Sequence, residues 1–168
     1  MMSSTKDKRT PEPKKPSGHA SSKESKASTL NPEPSNTESQ FIVATFNVNS
    51  INMRREATLA WLAKHRPTVL GLQEIKCIDD QFPRADFEKA GWHVETFGQK
   101  SYNGVALVSC KPMKNMVRGF GDGLADAQAR MIAGELDGIT VVNCYVPQGS
   151  EVDSDKYAYK LEWLSRLR

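Results

Sequence analysis

Two short apolar segments that end in polar side chains, with a helical segment between them, constrain the fold of this chain most strongly. Residues 41–47 (FIVATFN) end in asparagine, and residues 69–74 (VLGLQE) end in glutamate. Runs of β-branched and aromatic residues of this length are typical of buried strands. Residues 54–66 have leucines at helical spacing and are followed by Pro67, which ends a helix. The order strand, helix, strand predicts a βαβ unit whose polar strand ends meet at one rim of a sheet, where ligands bind in open α/β folds.

The rest of the folded region is predicted to be strand-rich. The predicted elements are a helix at 84–90 followed by Gly91, strands at 92–97, 104–109 and 114–120, a hairpin of 131–136 and 139–145 around Asp137-Gly138, and a helix at 155–167. The candidate buried positions of this last, amphipathic helix are Tyr157, Leu161, Leu164 and Leu167. Side-chain oxygens of residues 49–52 are expected to cap the first helix. Seven strands with only two substantial helices would leave one sheet face open to water, which indicates that something is missing from this sequence.

The first 40 residues differ in composition from the rest of the chain. Residues 1–40 contain no aromatic residue, Val or Ile, and are dominated by Ser, Thr, Lys, Pro and Glu. Such a segment buries too little apolar surface to offset its ordering entropy, so residues 1–40 are predicted to be disordered and residues 41–168 to be folded. The basic cluster of this tail is interpreted as solvated, in preference to a nuclear address or a nucleic-acid-binding arm; it comprises Lys6, Lys8, Arg9, Lys14 and Lys15.

The sequence gives no sign of a membrane partner or of export. It contains no apolar run of roughly 20 residues and no apolar segment of a secretory signal near its start, so the protein is expected to stay where it is made. The cysteines are Cys77, Cys110 and Cys144, an odd number without metal-ligand spacing. They are interpreted as reduced, partly buried thiols.

Three apolar strands end at groups that suit a cation and a phosphate ester. Glu74 offers a carboxylate to Mg²⁺, which is often held by one or two carboxylates together with water and substrate phosphate. Asn47 offers an amide to a phosphoryl oxygen or a bound water, and Tyr145 offers a phenol to a developing oxyanion. Arg130 offers a planar guanidinium group, whose N–H donors can bind two oxygens of a phosphate. Each residue alone also fits an ordinary strand end, core position or surface charge, so the residue pattern suggests a site without specifying it.

Five strings in the folded region carry a family resemblance. They are TFNVNS at 45–50, GLQEIK at 71–76, GQKSYNGVA at 98–106, AR at 129–130 and NCYVPQG at 143–149. Together and in this order they resemble the exodeoxyribonuclease III family of DNA-repair nucleases and abasic-site (AP) endonucleases, within the endonuclease/exonuclease/phosphatase superfamily. The resemblance implies an α/β fold: the N-terminal half of a DNase I-like four-layer sandwich, with two mixed β-sheets and outer helices.

The resemblance also implies roles for residues of this chain. It implies that Asn47 and Tyr145 are catalytic, and that Glu74, with Asn47, binds Mg²⁺, with Mn²⁺ as the alternative ion. The residues that it associates with DNA are Arg130, Asn49, Lys76, Tyr102 and Asn103. The implied activity of the full-length protein is 3′ to 5′ exonuclease action on duplex DNA and incision beside abasic sites. The implied partner is therefore double-stranded DNA with 3′ ends or abasic sites, bound by a monomer in the cytoplasm at the nucleoid, or in the nucleus of a eukaryote.

The chain differs from the family because some of the family's motifs are missing from it. The later motifs of the family, an Asp and Asn that position water and an Asp-His pair, are not found, and His19, His65 and His93 are interpreted as structural or solvated. We therefore expect an N-terminal fragment that is inactive by itself, because the groups that cleave a phosphodiester act as a unit. The alternatives are another phosphoesterase of the superfamily that acts on a small phosphate ester, and a non-catalytic DNA-binding half-domain.

Overall fold

The computed structural model describes residues 40–124 and 128–168. Its helices and strands are β1 (Val43–Asn47), α1 (Ile51–His65), β2 (Val69–Gln73), α2 (Arg84–Lys89), β3 (His93–Phe97), β4 (Val105–Ser109), β5 (Lys114–Arg118), β6 (Met131–Leu136), β7 (Ile139–Cys144) and α3 (Asp155–Leu167), with a 3₁₀ turn at Asp79–Gln81. The disorder predicted for residues 1–40 concerns a segment that, apart from Gln40, lies outside the described residues, as do three residues of the predicted loop 121–128.

The strands form two sheets. The first has the order β1-β2-β4-β3 and is mixed, since β1 and β2 are parallel while β4 is antiparallel to both β2 and β3. The second has the order β5-β6-β7 and is antiparallel in the described residues. The predicted βαβ unit is confirmed: α1 connects the parallel strands, and their register places Asn47 opposite Gln73.

Two apolar layers hold these elements together. One lies between the sheets and is formed by residues such as Val105 and Leu107 of the first sheet and Ile132 of the second. The other lies between the first sheet and the helices, where Leu62 of α1 and Phe87 of α2 are fully buried. The first sheet is therefore covered on both faces over β2 and β4, whose residues are all buried.

Residues 43–47 form the strand predicted within residues 41–47, but the prediction that this strand is buried is wrong. β1 is an edge strand, and Val43 and Phe46 are 55% and 45% exposed. A groove of about 320 Å³ runs beside it, lined by Thr45, Phe46, Ala57, Thr58, Trp61 and Leu70. β7, at the edge of the second sheet, also exposes Ile139 and Val142. The predicted open sheet face is not found over β2 and β4, which are buried on both faces. Apolar surface is instead exposed at two strand edges, and surfaces of this kind mark contact sites.

The start of α1 differs from the prediction. The helix begins at Ile51 instead of residue 54, and Ser50 makes no side-chain capping hydrogen bond. Instead, the N–H groups of Ser50 and Ile51 donate to the backbone oxygens of Glu74 and Ile75, at 2.8 and 3.2 Å. The predicted side-chain cap is wrong because Ser50 has φ of +81° and ψ of 106°, outside the extended conformation from which an N-cap side chain reaches the helix.

The buried face of α3 also differs from the prediction. Trp163 is 3% exposed and packs edge-to-face on Phe120, with 5.2 Å between the ring centroids. Arg166 lies over the same ring and donates to both carboxylate oxygens of Asp122 at 2.8 and 2.9 Å. The helix therefore uses an aromatic contact with a loop instead of an aliphatic stripe. The positions that were wrongly predicted as buried are Leu161, Leu164 and Leu167, which are exposed, and Tyr157, which is half-buried.

The remaining predictions about side chains hold in part. The three cysteines are unpaired, but only Cys77 is buried and Cys144 half-buried, whereas Cys110 is exposed. Burial raises the pKa of the Cys77 thiol to about 11. In the part of the chain that the structure describes, no helix is long and apolar enough to span a bilayer.

Candidate active site at the strand ends

The ends of β1, β2 and β7 meet around the carboxylate of Glu74. Its Oε1 accepts a hydrogen bond from the amide Nδ2 of Asn47 at 2.8 Å and another from the phenol of Tyr145 at 2.7 Å. The structure thus brings together the three residues predicted from the strand ends. The Glu74 side chain is 19% exposed, so the carboxylate is held by protein donors yet remains open to solvent.

Backbone hydrogen bonds extend the strand pairing into the site and fix these positions. The N–H of Val48 donates to the oxygen of Gln73 at 2.9 Å, directly beyond the end of β1. The N–H of Tyr145 donates to the oxygen of Arg130 at 2.7 Å, directly beyond the end of β7. Glu74 itself has φ of +55°, in the left-handed region that non-glycine residues seldom adopt. Strained residues of this kind cluster at functional sites, where the surrounding structure holds them.

A lysine balances the charge of Glu74. The Nζ of Lys76 lies 3.1 Å from Oε2 of Glu74 and also donates to Oδ1 of Asn49. Asn49 in turn donates its N–H to Oδ1 of Asn47 at 3.2 Å, and its backbone oxygen accepts from Arg54 at 2.6 Å. Asn49 and Lys76, which the resemblance associates with DNA, therefore lie in direct contact with the central cluster.

Hydrogen bonds and burial together determine the protonation states of the two central groups. Donation by Asn47, and next by Tyr145, holds the pKa of the Glu74 carboxyl below its ordinary value. Burial, and next the contact with Glu74, raises the pKa of the Tyr145 phenol above its ordinary value. At neutral pH the pair is therefore a carboxylate and a protonated phenol that donates to it.

The depressed pKa of Glu74 predicts how stability depends on pH. Stabilisation by the carboxylate is complete above the ordinary pKa of 4.5 and is lost as the pH falls through the lower pKa of the folded state. Glu74→Gln is therefore expected to lower the free energy of unfolding at pH 7 by roughly 1–2 kcal/mol, with a difference from the wild type that shrinks in acid. Urea denaturation between pH 7 and 3 measures this difference. In an Asn47→Ala background the pH-dependent part should be smaller; an unchanged dependence would contradict the assignment.

Arg130 covers the other side of Tyr145. Its guanidinium lies 4.7 Å from the centre of the Tyr145 ring and donates to the Tyr145 backbone oxygen at 3.1 Å. Its Nε donates to Oε1 of Gln128 at 2.6 Å. The planar group is therefore fixed against the phenol, in an orientation that leaves it only partly buried.

A polar depression of about 430 Å³ lies beside Arg130 and is lined by Gln99, Tyr102, Asn103, Gln128 and Arg130. Tyr102 is 72% exposed, so its ring offers a free aromatic face. Asn103 is mostly buried and donates to Gln99 at 3.0 Å and to Gln128 at 3.3 Å. It thus joins the two loops that form the depression, and its contact with DNA stays a prediction.

The sequence analysis missed two buried amides beneath the cluster. Gln73 and Asn143 are 8% and 6% exposed, and Nε2 of Gln73 donates to Oδ1 of Asn143 at 2.5 Å. The available signal was their polarity within otherwise apolar strands, one residue before Glu74 and two before Tyr145. Buried polar side chains need partners, so two of them near one predicted rim indicate a contact.

The donor set suits a cation that keeps much of its own hydration. In residues 40–124 and 128–168, no group of three or more His, Cys, Asp or Glu side chains is placed to hold a metal. The site offers one partly exposed carboxylate, that of Glu74, and the amide of the exposed residue Asn47, whose oxygen also accepts from the N–H of Asn49. The positively charged Lys76 and Arg130 lie beside them. A few hard oxygen donors completed by water and phosphate are the usual environment of Mg²⁺, whereas Zn²⁺ takes nitrogen or sulfur ligands. The residues present therefore fit Mg²⁺.

Comparisons with known proteins identify relatives of this chain among DNA-acting nucleases and phosphatases. The chain is 38% identical over 129 residues to exodeoxyribonuclease III of Haemophilus influenzae. The matched region covers 74% of this chain and 48% of that protein. The structure of this chain matches an AP endonuclease from Archaeoglobus fulgidus with 43% identity and a TM-score of 0.73. The match covers 76% of this chain and 49% of the endonuclease. The structure also matches a 3′ phosphatase from Neisseria bound to a product DNA hairpin, with 39% identity and a TM-score of 0.74, over 76% and 50% of the two chains.

These matches confirm the predicted fold and fix the family. The chain spans about half the length of each of these relatives, and its two sheets follow the corresponding part of their α/β fold. Residues 44–168 match the model of the Endonuclease/Exonuclease/phosphatase family. The chain therefore belongs to the Endonuclease/Exonuclease/phosphatase family, in the group similar to exodeoxyribonuclease III.

Proposed function

We propose that this chain supplies the Glu74-centred part of the active site of a magnesium-dependent DNA-repair nuclease. The whole protein would remove nucleotides 3′ to 5′ from duplex DNA and incise beside abasic sites. The observation that carries the proposal is the Glu74 carboxylate held at once by Asn47, Tyr145 and Lys76 at the rim of the sheet. The relatives named above as an exodeoxyribonuclease, an AP endonuclease and a 3′ phosphatase support DNA as the substrate.

The residues around Glu74 have distinct tasks in this proposal. Glu74 and the Asn47 oxygen would hold Mg²⁺, with Mn²⁺ as the alternative, and the ion would supply positive charge against the phosphate oxygens. Tyr145 keeps its proton at neutral pH, and its phenol would turn from Glu74 to donate to charge that develops on the phosphoryl group. Arg130, fixed on the Tyr145 ring, adds a second positive group on the phosphate side.

The DNA strand is proposed to lie across the rim toward the polar depression. Arg130, Lys76 and Asn49 lie at or beside the central cluster, and the exposed ring of Tyr102 lies at the depression. Asn103 fixes the loop that carries Tyr102. Basic groups give sequence-independent attraction to phosphates, and an exposed aromatic ring gives a stacking surface for a base.

The 168-residue chain by itself is proposed to have little or no nuclease activity. One carboxylate without a general base cannot cleave a phosphodiester at a useful rate, because positioning and charge-stabilising groups act as a unit. The apolar surface exposed on β1 and β7 indicates that further protein packs there in the active form. We propose that this active form is a monomer of the whole protein, located with DNA at the nucleoid or in a nucleus.

A substrate panel tests the proposed function. The whole protein that contains this chain is incubated with a duplex bearing a recessed 3′ end, a duplex with one abasic site and a small phosphate monoester, each with and without Mg²⁺. We expect magnesium-dependent cleavage of both DNA substrates and little hydrolysis of the ester. Hydrolysis of the ester with intact DNA would instead identify a small-molecule phosphoesterase, and binding of DNA without cleavage would identify a non-catalytic DNA-binding protein.

A further inference from the structure

The buried amide of Asn143 lies directly beneath the proposed active site and connects the two sheets. Its Nδ2 donates to the backbone oxygens of Leu72 in β2 and Ala106 in β4, at 2.8 and 2.9 Å. Its Oδ1 accepts from Nε2 of Gln73 at 2.5 Å. The same Nε2 donates to Oγ1 of Thr45 in β1 at 2.9 Å. The amide pair therefore joins β7 to three strands of the first sheet.

The amide of Asn143 packs against Gly71, which has no side chain and so leaves room for it. A Cβ added to Gly71 would lie 2.9 Å from Oδ1 and 3.0 Å from Cγ of Asn143, closer than such atoms normally approach. Gly71 is buried within β2, where a glycine weakens the strand unless another group needs the space. The pairing of Gly71 with Asn143 thus sets how closely β7 can approach β2.

Strand geometry connects this contact to the active-site residues. Asn143 lies in β7 and Tyr145 follows two residues later in the same extended segment. Their side chains therefore point to the same side, toward the first sheet. Gln73 immediately precedes Glu74. The apolar contacts between the sheets are non-directional and tolerate small shifts, whereas hydrogen bonds restrict both distance and direction.

We propose that Asn143 is a positioning residue, whose carboxamide, seated on Gly71, sets the distance between the Tyr145 phenol and the Glu74 carboxylate. Displacement of the amide would break its hydrogen bonds to Leu72, Ala106 and Gln73 together. β7 would then be free to move relative to β2, and the 2.7 Å contact between Tyr145 and Glu74 would lengthen. The inference concerns the same residues as the proposed function, but it is stated for a contact that exists without substrate and is tested without catalysis.

The experiment follows the Tyr145 hydrogen bond by NMR in the 168-residue chain labelled with ¹³C at the tyrosine Cζ, at fixed neutral pH. The chain has four tyrosines, and Tyr145→Phe identifies the signal of Tyr145. Glu74→Ala gives the position of that signal without its carboxylate partner. Asn143→Ser removes the amide without adding atoms, and Gly71→Ala keeps the amide but displaces it. We expect each variant to move the Tyr145 signal at least half of the way to its position in Glu74→Ala.

Two further variants separate positioning from loss of stability. Gly138→Ala makes the same chemical change in the β6–β7 turn, where φ is +80° and no atom lies within 4 Å of the added Cβ. It should lower the melting temperature and leave the Tyr145 signal in place. In the double variant Gly71→Ala/Asn143→Ser the shorter side chain removes the clash, so the melting temperature should recover relative to Gly71→Ala while the Tyr145 signal stays displaced.

The proposal has clear contrary outcomes. An unchanged Tyr145 signal in Asn143→Ser, which tests the amide even if Gly71→Ala does not fold, would overturn it. So would a return of the signal together with the melting temperature in the double variant, because packing alone would then position Tyr145. An equal shift in Gly138→Ala would show a general response to destabilisation and would overturn it as well. None of these results depends on whether the whole protein cleaves DNA.

Discussion

Glu74→Gln is expected to lower magnesium-dependent cleavage of an abasic-site duplex by the whole protein by at least about 10²-fold. The substitution keeps the size of the side chain and an oxygen that can accept from Asn47 and Tyr145, but it removes the negative charge that is proposed to bind the cation. Affinity for Mg²⁺, measured by calorimetry without DNA, should fall in the same variant. Steady-state rates at saturating Mg²⁺ then show whether the loss lies in metal binding alone or also in the chemical step.

Glu88→Gln is the matched control for this prediction. Glu88 lies exposed on α2, so the same chemical change there should leave both the cleavage rate and the affinity for Mg²⁺ at wild-type values. Wild-type cleavage by Glu74→Gln would show that this carboxylate is a structural group, and the proposed site would be wrong. Equal losses in the two variants would point to a general effect of net charge on binding to DNA.

Gly104→Ala is expected to destabilise the chain by about 3–5 kcal/mol, the largest stability effect that we predict. Gly104 has φ of +79°, and an added Cβ would lie 2.6 Å from Cγ1 of Ile75, which is fully buried in the helix-side core. Its backbone oxygen also accepts from the N–H of Ile75 at 3.2 Å, and its N–H donates to the backbone oxygen of Ala129 at 2.9 Å. The substitution therefore combines left-handed strain with overpacking at the point where the loops of Tyr102 and Arg130 meet.

Gly91→Ala separates these two causes. Gly91 has φ of +85°, but no atom lies within 4 Å of its added Cβ. It should cost only the strain of the left-handed conformation, about 1–2 kcal/mol. Urea denaturation of both variants gives the difference. A Gly104→Ala variant no less stable than Gly91→Ala would mean that Ile75 moves aside at no cost, and that the close approach does not constrain the loop.

Much of the candidate site was predictable from local sequence. The abrupt change from apolar to polar residues at Asn47, Glu74 and Tyr145 predicted three strand ends, and the parallel βαβ unit brings the first two to one rim. The hairpin around Asp137-Gly138 and the half-exposed alternation of β3 were also predicted, because turn chemistry and a period of two residues depend only on neighbours in the chain.

Burial was predicted less well, because it depends on what lies against each element. The composition of residues 41–47 suits a buried strand, yet β1 is an edge strand with exposed Val43 and Phe46. The leucines of α3 are spaced as a buried stripe, yet Trp163 is the residue that the helix buries, against Phe120 in a distant loop. No pattern within either segment specifies its neighbour in space.

The sequence by itself determined the strand ends, their polar chemistry and the family resemblance. The tertiary structure decided that the Glu74 carboxylate accepts from both Asn47 and Tyr145, that Lys76 balances its charge, and that Asn143 seats on Gly71 between the sheets. The physical reason is separation along the chain. Tyr145 and Asn143 lie 71 and 72 residues from their partners Glu74 and Gly71, so only the packing of the second sheet on the first creates these contacts.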